Sequence, residues 1–421
     1  MKNRFKKGFK LSLATCICFI LFIGEISFAQ DWQYWGYDLK NTRTTSSIGP
    51  QTNKLSWQYG MGRCNTFTSA LIVSKNTGYI TDDMGNLYAI DLLNPKRTKW
   101  VYQIDQKYYY HRPSPVVNGD MVYVQSDDKI YGISSETGLP QKTYEVGAMV
   151  LGFTLYDGRL YVVSSENNLI AIEADSGGTK WKVKLLGEYG IPCYLAIDAG
   201  RNTIYAAGSS YLCAVDLING ASRCYYEFPA ENHPIDESTK QGGGYYSMST
   251  APAIAEDGII YAGHYDKMWA IHPDGTLKWA FIAKNPICAS PAISGDTVYF
   301  GDMSGIFYAL NRNDAQVKWI YETQAPVFGA AVIGGDGICY FKSGDANIYA
   351  LSPDGNIKWV YGTTEHWELF SELTLANGQL FACVYNGILT FGDIPSEKPD
   401  KQEESEGHSE GFSVIKPLHI F

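Results

Sequence analysis

The chain has 421 residues, with 34 Lys and Arg against 44 Asp and Glu and a net charge of −10. That length suits one large domain, and 31 Tyr with 10 Trp exclude a chain too polar to build a core. No Lys/Arg cluster occurs beyond residue 29, which argues against nucleic acid or anionic lipid as a partner, because phosphate binding needs a positive footprint.

Residues 1–29 read as a signal peptide. Lys2, Arg4, Lys6, Lys7 and Lys10 form its charged start, residues 11–23 its apolar stretch, and Ser27-Phe28-Ala29 a small-x-small cleavage site. The apolar run is short for a membrane span, so no transmembrane segment is expected. Leu13-Ala14-Thr15-Cys16 loosely resembles a lipobox, but apolar residues continue past it, so no lipid anchor is expected. The chain beyond it, beginning near Gln30, is expected in the periplasm or at the cell surface, with a net charge of −14.

From there a phrase of about 40 residues returns eight times, the period of a four-stranded propeller blade. A clear copy reads Gly295-Asp-Thr-Val-Tyr-Phe-Gly-Asp-Met-Ser-Gly305-Ile-Phe-Tyr-Ala-Leu310 and runs on to Lys318-Trp319. Short β-branched and aromatic runs cut by Gly, Asn, Asp and Pro predict strands and tight turns. No window beyond the signal segment has helical apolar spacing, so little helix is expected. The aromatic closing each unit is Trp57, Trp100, Tyr144, Trp181, Tyr225 or Tyr226, Trp279, Trp319 and Trp359. The first has no strands before it, and the last unit, residues 375–391, has no Trp after it. The two halves complete one another, so the strand at Trp57 is expected to close the ring of residues 30–391 and remove its open edges. Residues 392–421 carry seven acids and three bases and are expected to be disordered. Residues 412–421 turn apolar again, and docking on the ring is preferred over a partner-binding tag.

The units resemble the pyrrolo-quinoline-quinone-like (PQQ-like) repeat, whose core is Ala-x-Asp-x-x-(Thr/Ser)-Gly-x-x-x-Trp. Ala171-Ile-Glu-Ala-Asp-Ser-Gly177-Gly-Thr-Lys-Trp181 matches with Glu173 for Asp, while the copy ending at Trp319 lacks the Gly. Lys142 and Cys224 stand where Trp is expected, with Tyr144 and Tyr226 two residues on. The resemblance implies an all-β, eight-bladed propeller, with the repeat Trp residues (Trp57, Trp100, Trp181, Trp279, Trp319, Trp359) packed between blades. It also implies two kinds of function: the non-catalytic scaffold of BamB-type outer-membrane assembly propellers, and the quinone-dependent dehydrogenases. The latter commonly carry a vicinal Cys-Cys ring against the quinone and a Ca²⁺ held by carboxylate and amide oxygens.

The residues favour the scaffold. No two cysteines are adjacent, and no Cys-x-x-Cys-His, Gly-x-Ser-x-Gly or His-Glu-x-x-His occurs. No catalytic residue, no metal site and no cofactor is therefore predicted, with PQQ and Ca²⁺ kept as the alternative. Seven cysteines follow the signal segment, an odd number. Cys213 and Cys224 flank a turn symmetrically, and export would permit a disulfide between them. The loops entering the innermost strands carry Arg63, Tyr109, His111, Arg112, Tyr189, Tyr245, Tyr246, His366 and Trp367. Aromatics beside His and Arg suit recognition of an envelope protein, a peptide or a glycan, the last making a carbohydrate- or cell-wall-binding surface protein the second alternative. These loops are the expected binding face of a monomeric ring.

Overall fold

The computed structural model describes residues 32–34, 36–60, 69–95, 97–105, 114–185, 195–208, 211–229, 250–363, 372–384 and 387–393, without the side chains of 223–225. They form eight four-stranded antiparallel sheets, the blades of an all-β propeller. Blade 6 is typical. Its strands Ala292–Ser294, Thr297–Gly301, Ile306–Asn311 and Val317–Glu322 run from the innermost to the outermost position. The middle two strands are buried along almost their whole length, while the outer strand is largely exposed. That gradient follows the sequence. Val298, Phe300, Phe307 and Leu310 reach the sheet-to-sheet interfaces, and Lys318 and Glu322 face water.

Blade 8 is built from both ends of the propeller. Leu373–Ala376, Gln379–Val384 and Gly387–Phe391 supply its first three strands, and Leu55–Gly60 pairs antiparallel with Gly387–Phe391 as the fourth. The pairing expected for the strand at Trp57 is therefore present. It supplies the last blade with its outer strand, so that each of the eight sheets has four strands.

The repeat motif has a uniform physical meaning. A small residue in the third strand lies opposite the closing aromatic in the fourth: Ala89 opposite Trp100, Ala171 opposite Trp181, Ala309 opposite Trp319 and Ala350 opposite Trp359. A β-bulge follows each of these pairs and sharpens the local twist. The indole then reaches the next blade. Trp100 Nε1 donates to Ser135 O at 3.0 Å, Trp181 to Leu217 O at 3.2 Å, Trp279 to Arg312 O at 2.9 Å and Trp319 to Pro353 O at 2.8 Å. Each acceptor lies in the turn before the neighbour's fourth strand. In blade 2 Lys142 sits in the Trp register opposite Gly132, and Tyr144 makes the equivalent bond, its hydroxyl donating to Ala174 O at 2.7 Å. Trp57, Trp100, Trp181, Trp279 and Trp359 are buried, whereas Trp319 is half-buried.

The glycine of these turns is needed for space as well as for backbone. Gly355 has φ +83°, and a Cβ there would come within 2.7 Å of the Trp319 ring. Gly355→Ala is therefore expected to lower stability by about 1–3 kcal/mol, as overpacking at a left-handed position. Denaturant unfolding reads this directly, and an unchanged midpoint would mean that the ring shifts without cost. Ala315 holds the same place beneath Trp279 at φ +62°, which explains how the unit lacking the Gly keeps its turn.

Candidate recognition face

In each blade the inner strand runs from the face where blades are joined (the joining face) toward a tight turn on the opposite face (the turn face). The inner edges of the inner strands point at the ring axis and have no partner within their own sheets. Residues 32–50 supply one. This strap bonds, in chain order, to the inner strands of blades 1, 2, 4, 5, 6 and 7. Trp32 and Val73 exchange backbone bonds at 2.7 and 2.9 Å, and Val117 N donates to Gln33 O at 3.3 Å. Ile197 N then donates to Leu39 O, Ile254 N to Lys40 O, Ile293 N to Thr42 O and Ile333 N to Arg43 O, at 2.6 to 2.9 Å. In the eighth blade Gly378 N donates to Ser47 Oγ at 2.7 Å. These partners sit toward the turn-face ends of their strands, so the strap follows the inner rim of the ring there.

Positive φ at Tyr37 (76°), Asn41 (56°) and Arg43 (57°) lets the strap change direction between blades. Asn41 Nδ2 ties two blades by donating to Leu195 O and Pro252 O at 3.1 and 3.0 Å. Arg43, fully buried, meets Glu372 at 2.7 Å. Burial pushes the Glu372 carboxyl above its ordinary value, and Arg43, with Lys342, opposes that rise without cancelling it. The Asp38 carboxylate accepts from Lys40 N, Thr42 N and Thr42 Oγ1, holding a turn in the strap. Burial raises its pKa despite those bonds.

The joining face carries a second recurring device. Asp302 Oδ1 accepts from Ser304 N and Ile306 N, and its Oδ2 accepts from the Tyr308 hydroxyl at 2.9 Å. Asp82 with Tyr88 and Asp345 with Tyr349 repeat the arrangement in blades 1 and 7. Burial first, then the carboxylate, holds the Tyr308 and Tyr349 hydroxyls protonated. These carboxylates are occupied in shaping turns. Cys288, on the same face, has its thiol pushed up to about 11 by burial and by Asp302, so it is a poor nucleophile. Cys339 is buried and shifted the same way. Among the described residues no three His, Cys, Asp or Glu side chains converge to hold a metal ion.

The residues singled out from sequence, Arg63, Tyr109, His111, Arg112, Tyr189, Tyr245, Tyr246, His366 and Trp367, lie outside the described residues. The strands that flank their loops begin and end on the joining face, opposite the strap. Cys213 and Cys224 are directly paired in register, in the Ala and Trp positions of blade 4, and the Cys224 side chain is outside the description. The strap and its buried ion pair were not anticipated. Their signal in the sequence is weak: an aromatic-rich stretch, Trp32 to Leu39, that fits no repeat.

The family described as outer membrane protein assembly factor BamB matches residues 114–243 and 231–418, well over half of the chain. Together with eight PQQ-like blades this defines the class, and the chain belongs to that family. Among solved structures, quinohemoprotein alcohol dehydrogenase from Comamonas testosteroni overlays with a TM-score of 0.68 at 13% identity, covering 90% of this chain and 83% of its own. BamB from Moraxella catarrhalis overlays with a TM-score of 0.58 at 14% identity, covering 80% and 98%. The computationally designed Ika8 protein gives 0.63 at 12% identity, covering 82% and 100%. At these identities the overlays speak for the fold alone. No curated protein matches the sequence.

Proposed function

We propose that this protein is an exported, non-catalytic binding scaffold of the cell envelope, taking protein partners on its joining face. The observation that carries this reading is the family match, whose description is an outer-membrane assembly factor. Two features support it. The strap lies along the inner strands toward the turn face, which favours the joining face for a partner. The carboxylates and thiols described on that face are committed to turns or held protonated, which suits binding better than bond-making. Among the described residues no helix is long and apolar enough to cross a membrane. The loops bearing Tyr109, Arg112 and Trp367 supply the residue types most enriched at binding hot spots. The Tyr109→Ala, Arg112→Ala, Trp367→Ala triple variant is expected to lose capture of an envelope protein with thermal unfolding unchanged. Capture at wild-type level would refute the face.

The second reading, a quinone-dependent dehydrogenase, rests on likeness of fold alone to the quinohemoprotein alcohol dehydrogenase. The residues fit it poorly. The sequence has no adjacent cysteines, and among the described residues no three His, Cys, Asp or Glu side chains converge. Incubation with the quinone and Ca²⁺ is expected to give neither stoichiometric binding nor alcohol-dependent dye reduction. Either result in the positive would replace the scaffold reading.

A further inference from the structure

We propose that a groove between the strap and blade 4 is the docking site for the chain's own apolar segment, residues 412–421. The groove, about 560 Å³, is lined by Tyr34, Tyr37, Leu39, Lys40, Ile197 and Ala199, among others. It lies where the strap passes from blade 2 to blade 4: Gln33 bonds to the former, Leu39 to the latter, and two tyrosines wall the gap between them. Tyr37 is held there at φ +76°, an uncommon conformation for an aromatic residue, with its ring 5.0 Å from Trp32.

Three facts choose the occupant. First, the chain leaves the ring on the same face. The third strand of blade 8, Gly387–Phe391, runs toward the turn face, and Gly392 packs against Gly378 in the turn that Ser47 of the strap also holds. The groove is on that face too, since Ile197, Ala199 and Gly200 end the inner strand of blade 4 and begin its turn. Second, the reach suffices. Residues 394–411 span up to roughly 60 Å at about 3.3 Å per residue, and a compact body of this size is about 50 Å across, from a radius of gyration near 20 Å. Third, the apolar chemistry matches: Phe412, Val414, Ile415, Leu418, Ile420 and Phe421 suit walls that include Leu39, Ile197 and Ala199.

The test uses the full chain carrying a benzophenone side chain at Tyr34. Photolysis is expected to link that position to residues 412–421 of the same molecule, read by mass spectrometry on the monomer band. The Ile415→Asp, Leu418→Asp double variant is expected to cut the yield about tenfold or more, since each buried charge opposes docking. A crosslink to a second copy or to another protein, no crosslink to the segment, or an unchanged yield in the double variant would each overturn the proposal.

Discussion

Arg43→Ala is expected to destabilise the ring by about 3–5 kcal/mol at pH 8, the range for stranding one member of a buried ion pair. Arg43 has no exposed surface and reaches Glu372 at 2.7 Å from the strap, so its loss leaves a carboxylate buried beside the ring axis. The effect carries a pH signature. Glu372 already titrates above its ordinary value because burial outweighs Arg43. Its contribution to stability is full below the ordinary carboxylate range and is lost as pH rises through the folded pKa. Removing Arg43 raises that folded pKa further, so the loss of stability widens with pH. Denaturant unfolding of both proteins at pH 5 and pH 8 checks this. An equal loss at the two pH values, or one below about 1 kcal/mol, would show that the pair is not what holds the strap.

Trp359→Ala is expected to cost about 3–5 kcal/mol, as for other buried aromatic truncations. Its Nε1 donates to Pro50 O at 2.9 Å, and the Tyr340 hydroxyl donates to the same oxygen at 3.2 Å. Its ring lies 5.8 Å from Tyr340 and 5.6 Å from Phe391. Pro50 thus takes the place of the turn carbonyl that blade 8 lacks, and Trp359 is the joint between blade 7 and the closing segment. Trp319, half-buried and bonded to an ordinary turn, is expected to cost less on the same substitution. Equal losses for the two would remove any special role for the closing joint. Unfolding free energies of the two single variants decide it.

The ring was legible because its signal is local and repeated. Each blade carries its own alternation, its own Gly turn and its own aromatic, so eight weak signals reinforce one another. Closure was legible for the same reason, as half a repeat at each end. Tyr144 could be assigned to the Trp role because only one aromatic was available near Lys142. The strap was not legible, because its residues have no period and take their conformation from six different strands. Arg43 and Glu372 lie 329 residues apart, and nothing at either position announces the other. The candidate binding residues are read from composition alone, and sequence spacing says which face their loops leave from without saying what they touch.

The strap also sets a schedule. It precedes every blade in the chain, yet its partners are Val73, Ile197, Ile293, Ile333 and finally Glu372 and Gly378. Its first partners, Val73 and Val117, emerge early, but Arg43 must wait for Glu372 until the last blade has emerged. The first segment of the propeller to be made is thus among the last to settle in full. A nascent chain stalled before Gly387 would hold seven blades, a loose strap and an unmatched closing strand. That intermediate, rather than any single blade, is the species a chaperone would have to shield.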